Sequence, residues 1–596
     1  MFTVRYVTDV YVPDLRIVLR TAADGWEATD IPGVYTEGAW VFRLDERRYQ
    51  PLVEFKFVLA PGTWMVGENL KRAPAEGAIY DFGDDAVLFQ PVPALVTENA
   101  QVQRTLFKRN LDEAHEYEVL VVGSGIGGGI LADQLADLGA DVLVLEAGSY
   151  LFPTHVANLP RRLRVGRFDK SVWGLFPDFS FANYVNVDGS AFAGRQAFNL
   201  GGRSVFWGGL IPRMGAWELE AWPGEVRDYL LTTGFRLAED ALNRVGPAGS
   251  TYQEDTKRFL AQALPDFDHL DAPVAVQYQG YTPLSIPGGM FSTADLLVED
   301  QLVEAAGGPR RPTVNLNHAV WKVLVDQADP QRVVGVAAHD LLANEQRTFR
   351  ARSVVLAAGT IESAKLALQS GLDDPNQRIG RGLTDHPILY THFALPAGSP
   401  HAATGASAKI WSRHRDTSVD RHAYNVVLEL GADFNQGRYV DPDNLARQRA
   451  EKGDQTLCEI VFLFNAPLLE GNFLELAGPP AVPVRVNVQP YRPPAALRAE
   501  VAEVAANVLQ GLGAVALLGE DLALHEAALG GVAHEVGTLG MADDGTAVVD
   551  PNLRFLGYDN LYACDNSVFP SSPAANPTLA LTALALRLAR HLTGNA

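Results

Sequence analysis

A first chemical possibility lies at Gly123-Ser124-Gly125-Ile126-Gly127-Gly128, which follows the apolar run Glu118-Val119-Leu120-Val121-Val122 and fits G-x-G-x-x-G. Glycines at this spacing let the chain turn tightly and bring backbone N–H groups to a pyrophosphate, and a helix starting there adds its positive dipole end. A glycine-rich turn without a ligand would satisfy the same letters. About 20 residues further on, Glu146 closes the run Asp141-Val142-Leu143-Val144-Leu145, where a carboxylate accepts hydrogen bonds from a ribose diol. It would also repel a 2′-phosphate. Strand, glycine turn, helix and acid together point to a dinucleotide, without separating NAD from FAD. A second possibility is Asn576-Pro577-Thr578-Leu579, which opens a long apolar segment running to about His591. Proline suits the first helical position and asparagine the cap before it, so Asn576 can be a helix cap. The same N-terminus, aimed at an electron acceptor, would stabilise negative charge. Any of the 13 histidines could take a proton near neutral pH, although such residues are usually structural.

The elements that must position these groups alternate from about residue 113. Glu118 to Val122 reads as a buried parallel strand, Ile130 to Leu138 has helical spacing, and Asp141 to Leu145 is the next strand of a βαβ unit. Leu561-Tyr562-Ala563-Cys564-Asp565 reads as a further buried strand that ends in an acid. Residues 1–105 differ from this pattern. Arg16-Ile17-Val18-Leu19-Arg20 and Leu52-Val53-Glu54-Phe55-Lys56-Phe57-Val58-Leu59 are short β-rich runs between Gly, Pro, Asp and Asn clusters, which predicts a small antiparallel sandwich. The stretch from about 391 to 529 is rich in strands and loops and carries no readable motif.

A chain of 596 residues exceeds what one hydrophobic core serves, so two or three domains are expected. With 47% hydrophobic and 20% charged residues the composition is that of an ordinary globular protein. Its 49 basic and 71 acidic residues leave a formal charge of −22, which argues against nucleic acid or an anionic membrane surface as partner. Cys458 and Cys564 are the only cysteines, too few for a disulfide framework or a thiolate metal site, and no metal is expected. No basic-then-apolar leader and no apolar run of roughly 18 residues is present, so the expected location is the cytoplasm.

Five ordered motifs add to the glycine turn. They are Asn199-Leu200-Gly201-Gly202-Arg203-Ser204 with Trp207 and Gly208; Val354-Val355-Leu356-Ala357-Ala358-Gly359-Thr360-Ile361-Glu362-Ser363; Gly380-Arg381-Gly382-Leu383-Thr384-Asp385-His386-Pro387; His534-Glu535-Val536-Gly537-Thr538-Leu539-Gly540-Met541; and Asp565 through Leu579. Over about residues 113 to 594 the chain resembles the glucose–methanol–choline (GMC) oxidoreductases, all of which use FAD. The resemblance implies an α/β fold (α+β overall) with a discontinuous Rossmann-type FAD domain over 113–225, 295–390 and 530–596. A sheet-based substrate domain would take 226–294 and 391–529, behind the N-terminal β-sandwich of 1–105.

The resemblance also assigns roles. Gly123, Gly125, Ile126 and Gly128 would hold the pyrophosphate and Glu146 the adenosine ribose. The Val320 backbone would meet the adenine, with Ala358 closing over it. Ser204 and Trp207 would lie near the flavin ring, Asp565 near the ribityl–phosphate region, and the helix opening at Pro577 and Thr578 would face the flavin pyrimidine edge. His534, in His534-x-x-Gly537-Thr538, would be the base that takes the hydroxyl proton, and Asn576 would orient the substrate oxygen. His525 lies outside any motif, and His386 sits in a stretch that reads as structural. Pairing His with Asn resembles pyranose oxidases, choline oxidases and bacterial C-glycoside oxidases. Phe206 stands where fungal pyranose oxidases attach FAD to a histidine, so FAD is expected to be non-covalent. Gly540 replaces the family's usual arginine, which leaves substrate preference open. The expected substrate is a sugar or another small alcohol, and the expected electron acceptor is O₂ or a quinone-type molecule. An oxidoreductase for a non-sugar alcohol and a non-catalytic flavoprotein or glycan-binding scaffold are the alternatives. Glu54 to Leu59, with Gly62-Thr63-Trp64 and Gly67-Glu68-Asn69, resembles the immunoglobulin-like starch- and glycogen-binding modules. A structural or interdomain role for residues 1–105 is equally open.

Overall fold

In the computed structural model the apolar run Glu116–Val122 lies inside a seven-stranded sheet. The structure describes residues 1–8, 15–60, 62–97, 106–107, 111–158, 176–246, 250–278, 288–402, 406–416, 424–431 and 455–594. The strand order is Thr313–Asn315, Val142–Leu145, Glu116–Val122, Glu345–Leu356, Val333–Asp340 and His318–Val325, with Leu561–Ala563 also paired to Glu345–Leu356. Val119 pairs with Val142, Leu120 with Val354 and Val354 with Leu561, all in parallel. Helix Ile126–Asp137 packs against helix Thr578–Thr593 over this sheet. Covered strands need no polar face, which is why Val119 to Val122 and Val142 to Leu145 are continuously apolar.

A second sheet of six strands comes mostly from the stretch that carried no motif. Its order is Phe267–Asp271, Ala408–His414, Tyr424–Leu430, Thr456–Phe464, Ile388–Leu395 and His525–Glu526, antiparallel throughout. Strand side chains alternate between faces. Ile410, Leu428, Ile460 and Phe393 bury one face against Leu260, Val501 and Val508 of helices Thr251–Ala263 and Ala495–Leu512. The other face carries Lys409, Glu429, Glu459 and His392 in one cross-strand register. A third sheet joins Tyr184–Asn186, Val484–Asn487, Phe473–Glu475, Arg381–Thr384 and Val536–Thr538. It draws strands from both sides of positions 390 and 530, and its last strand fixes the chain just after His534.

Residues Phe2 to Phe82 form two facing sheets around Phe2, Tyr6, Phe42, Phe55 and Phe57, all fully buried. The pairing is not wholly antiparallel as expected: Phe2–Val7 and Ile79–Phe82 run parallel, with Thr3 opposite Ile79. The chain re-enters the first sheet after crossing the second, the kind of crossover that a parallel pair requires. Trp40 is consumed by this core and Tyr35 packs edge-on against it. Trp26 and Trp64 are half-buried and meet edge-on at 6.0 Å, with the Arg20 guanidinium over Trp64.

Candidate active site

The glycine turn shows why each small residue is needed. A side chain at Gly123, whose φ is +101°, would come 2.5 Å from the Ala357 carbonyl, and one at Gly128 would come 2.1 Å from the Gly123 carbonyl. These two glycines let helix Ile126–Asp137 seat on the sheet. Gly125 differs, because nothing lies within 4 Å of where its side chain would be. Its bare backbone borders a cavity of about 290 Å³. Gly123, Gly125, Ile126, Glu146, Ser204, Trp207, Val320, Ala358, His534, Asp565, Asn576, Pro577 and Thr578 all line this one cavity. Gly128 does not; it lies behind the wall, where its contact with Gly123 makes it a packing glycine.

Several lining groups are also tied into the protein. Glu146 is buried, which raises its carboxyl above the usual range, while Ser124 and the Gly148 backbone donate to it and act against that rise. These bonds leave about one lone-pair site on the carboxylate. Asp565 accepts from the Gly359 and Ser567 backbone and from the Ser363 hydroxyl, joining strand Leu561–Ala563 to the turn after Leu356. Ser204 donates to the Gly201 carbonyl and accepts from the Thr293 backbone. The Trp207 indole donates to the Phe291 carbonyl at 2.6 Å. Phe206 is buried, edge-on to Phe152 at 5.4 Å and stacked near Phe179.

His534 sits at the centre of a short relay. Its Nδ1 lies 3.0 Å from His386 Nε2, and His386 Nδ1 lies 2.9 Å from the Pro573 carbonyl. A carbonyl only accepts, so His386 carries its proton on Nδ1. With both rings neutral, His386 Nε2 accepts and His534 Nδ1 donates. The lone pair of His534 is thereby placed on Nε2, where the Asn576 amide nitrogen approaches to 3.3 Å. Helix Thr578–Thr593 is capped at Pro577 with no side-chain bond to the cap. Asn576 therefore turns its amide toward His534 instead of capping, and its buried Oδ1 has no hydrogen-bond partner among the described residues.

Neighbouring charges brace the relay. The buried Glu535 takes a 2.6 Å ion pair from Arg203, which ties the His534 loop to the Gly201–Trp207 turn. Burial and the nearby Glu535 push the Asp385 carboxyl up to about 8. Donor atoms of Asp385, His386 and His534 lie within 4.8 Å of one another, a spacing compatible with a metal ion. The two ring nitrogens already satisfy each other.

Residues that motif reading missed complete the wall. His386 lines the cavity, and so do Lys409, Glu429 and Glu459 on the cross-strand row of the six-stranded sheet, beside Val427, Val461 and Leu463. Lys409 and Glu429 form an ion pair at 2.6 Å. A single charge recurring within apolar strands was the available signal, but it becomes a site only once the register is known.

Two family models described as GMC oxidoreductase match residues 308–388 and 498–585. By these two matches the chain is similar to the GMC oxidoreductases. It is an FAD-dependent oxidoreductase acting on CH–OH donors. Among GMC relatives it is 27% identical over 533 residues to paromamine 6'-oxidase from Streptomyces fradiae, covering 81% of this chain and 92% of that one. It is 27% identical over 418 residues to C-glycoside 3-oxidase from Microbacterium trichothecenolyticum, covering 66% and 75%. Among solved structures, a formate oxidase from Aspergillus oryzae aligns with a TM-score of 0.58 at 15% identity, over 81% of this chain and 99% of that one. Pyridoxine 4-oxidase from Mesorbium loti aligns at 0.55 and 18%, over 80% and 99%. These likenesses show the GMC fold, an α/β architecture with its FAD-binding sheet. The cavity suits FAD: open space at Gly125 admits a pyrophosphate, and the unpartnered Asn576 Oδ1 awaits a donor.

Proposed function

We propose that this chain oxidises a CH–OH group of a sugar or glycoside, with His534 as the base and Asn576 orienting the oxygen. One observation carries the reading: His534 Nε2, the Asn576 amide and the Lys409–Glu429–Glu459 row border the same cavity as the glycine turn. His534 Nε2 takes the hydroxyl proton while Nδ1 stays bonded to His386. The Asn576 amide N–H steadies the oxygen as negative charge grows on it. Bound FAD would supply the acceptor for the hydrogen and electron pair of the carbinol carbon, which becomes a carbonyl, with O₂ or a quinone-type molecule as the final acceptor. Gly123, Gly125 and Ile126 would hold the pyrophosphate at the N-terminus of helix Ile126–Asp137, with Gly128 supporting the turn from behind. Glu146, Val320 and Ala358 would meet the adenosine, Asp565 the ribityl–phosphate region, and Ser204 and Trp207 the ring. Pro577 and Thr578 start the helix whose positive end borders the cavity and would stabilise negative charge on a reduced ring. Phe206, held among aromatic rings, has no nucleophilic nitrogen, so the cofactor is non-covalent.

The seven-stranded sheet is the cofactor domain in this reading, and the six-stranded sheet presents the substrate wall. A polyol offers several hydroxyls that can bond to the Lys409, Glu429 and Glu459 row alongside its own ion pair, whereas a simple alcohol offers one. The relatives named for a C-glycoside and for paromamine agree with it. Val427, Val461 and Leu463 on the same wall favour a second reading, a less polar alcohol. It is in keeping with the relative 5-(hydroxymethyl)furfural oxidase from Methylovorus sp., 26% identical over 560 residues. No described helix is long and apolar enough to cross a membrane.

Anaerobic bleaching of the flavin absorbance by a panel of sugars, glycosides and simple alcohols tests the assignment. Glycosides should reduce the flavin fastest; bleaching by simple alcohols alone would overturn the sugar reading. In His534→Ala the rate should fall roughly 10²–10⁴-fold, the worth of a positioned base, with FAD content unchanged. Reduction at the parent rate would remove His534 from the mechanism.

A further inference from the structure

The segment that leaves the sandwich does more than connect it to the next sheet. Leu88 and Val66 pack on Trp321 and Ala337 of the seven-stranded sheet, and the Val66 backbone donates to the Leu88 carbonyl at 2.8 Å. The chain then crosses to Val92, buried with Phe198 and with Ala319, the residue before Val320, and packed against Ala147. Thr97 N–H donates to the Ser149 hydroxyl at 2.8 Å, just beyond Glu146. Pro91 and Val92 line the same cavity as Glu146 and Val320. The ammonium of Lys365, 2% exposed and also on the cavity wall, donates to the Pro91 carbonyl at 3.4 Å. A buried N–H donor needs such an acceptor, so Lys365 fastens the segment to helix Glu362–Gln369.

We propose that residues 88–97 form a wall of the FAD site on its adenosine side, so that the N-terminal sandwich serves to retain the cofactor. The inference rests on the placement of the adenosine at Glu146 and Val320, and is independent of the base chemistry at His534. The aligned formate oxidase is covered over 99% of its length by 81% of this chain, so the remainder, large enough to hold the sandwich, has no counterpart there. On this reading, release of FAD past this wall requires Val92 to give up its packing.

Release of FAD from full-length holoprotein, followed by the rise in free-flavin fluorescence after dilution, tests the wall. Pro91→Gly with Val92→Gly should release FAD on the order of tenfold faster, the worth of one buried valine side chain. Lys365→Met leaves the segment's sequence intact and should also speed release. Val34→Ser, on the exposed side of the same module (Val34 is 66% exposed), should release at the parent rate. Parent-like release in both the double variant and Lys365→Met would overturn the proposal. Hydrogen exchange of apoprotein with added FAD gives a second readout. Amides of residues 92–97 should gain protection together with those of Gly123 to Gly128. Protection at the glycine turn alone would overturn the wall. Protection at neither would overturn the placement of the dinucleotide and the wall with it.

Discussion

Replacing His386 with leucine removes the acceptor for His534 Nδ1–H and the donor to the Pro573 carbonyl, without touching the nitrogen that faces the cavity. The ring–ring bond is 3.0 Å long and His386 is 4% exposed, so water does not replace it. In the resting site this is a neutral hydrogen bond, and as His534 takes the substrate proton it becomes a bond from a cation. Neutral bonds contribute about 1 kcal/mol and bonds to charged groups about 1.5–3 kcal/mol. Only the difference, about 0.5–2 kcal/mol, slows the chemical step, which corresponds to about a two- to thirtyfold loss. Freeing Nδ1 also lets the ring place its proton on Nε2, where it cannot act as base, and this adds about another twofold. The expected rate of anaerobic flavin reduction by stopped flow is therefore about four- to sixtyfold below the parent, with substrate affinity and FAD content little changed. Glutamine can accept from His534 and donate to Pro573 at once, so His386→Gln should recover most of the rate. Selective ¹⁵N labelling of histidine gives a readout independent of turnover: His534 Nε2 should carry the unprotonated signal in the parent and share it with Nδ1 in the leucine variant. A leucine variant that reduces within twofold of the parent, or a glutamine variant no better than leucine, would refute the tautomer argument.

Acid precipitation should release yellow FAD into the supernatant, because Phe206 offers no atom for a covalent bond; flavin retained in the pellet would contradict this. Asn576→Asp should slow flavin reduction at least tenfold, since a second negative charge opposes charge developing on the substrate oxygen; stopped-flow rates unchanged from the parent would remove Asn576 from the site. Arg311 sits between Asp133, Asp137 and Asp300 at 2.5–3.8 Å. Burial and mutual repulsion raise Asp300 to about 8 and Asp133 to about 6, so the folded chain keeps protons that the unfolded chain releases, and stability falls as pH rises through that range. Arg311→Met should deepen that fall, costing about 2 kcal/mol at pH 8 and little at pH 5, as thermal unfolding midpoints across pH would show.

What could be read from letters was chemistry with fixed local spacing. Gly123 to Gly128, Glu146 and the strands around them sit in one βαβ unit, where neighbours in sequence are neighbours in space. His534 and Asn576 were legible because each lies in a short recognisable run. His386 reads as structural in sequence, since its part depends on a nitrogen of a residue 148 positions away. Lys409, Glu429 and Glu459 escaped for a related reason: each is one charge in an apolar strand, and only the antiparallel register aligns them. The parallel pair inside the sandwich was hidden because alternation reports which face a residue takes and not the direction of its neighbour.

The order in which the chain is made has a bearing on how the site comes into being. Strand Leu561–Ala563 completes the large sheet against Glu345–Leu356, and helix Thr578–Thr593 covers helix Ile126–Asp137. The glycine turn is thus translated more than four hundred residues before the helix that packs beside it, a separation seen in the approach of Gly127 to the Cys564 carbonyl. During synthesis one edge of the parallel sheet and one face of an apolar helix must wait without their partners, the situation in which nascent chains aggregate or engage chaperones. Stalled or truncated translation products ending before residue 560 would present that unfinished surface and should be cleared, whatever their early sequence is able to bind.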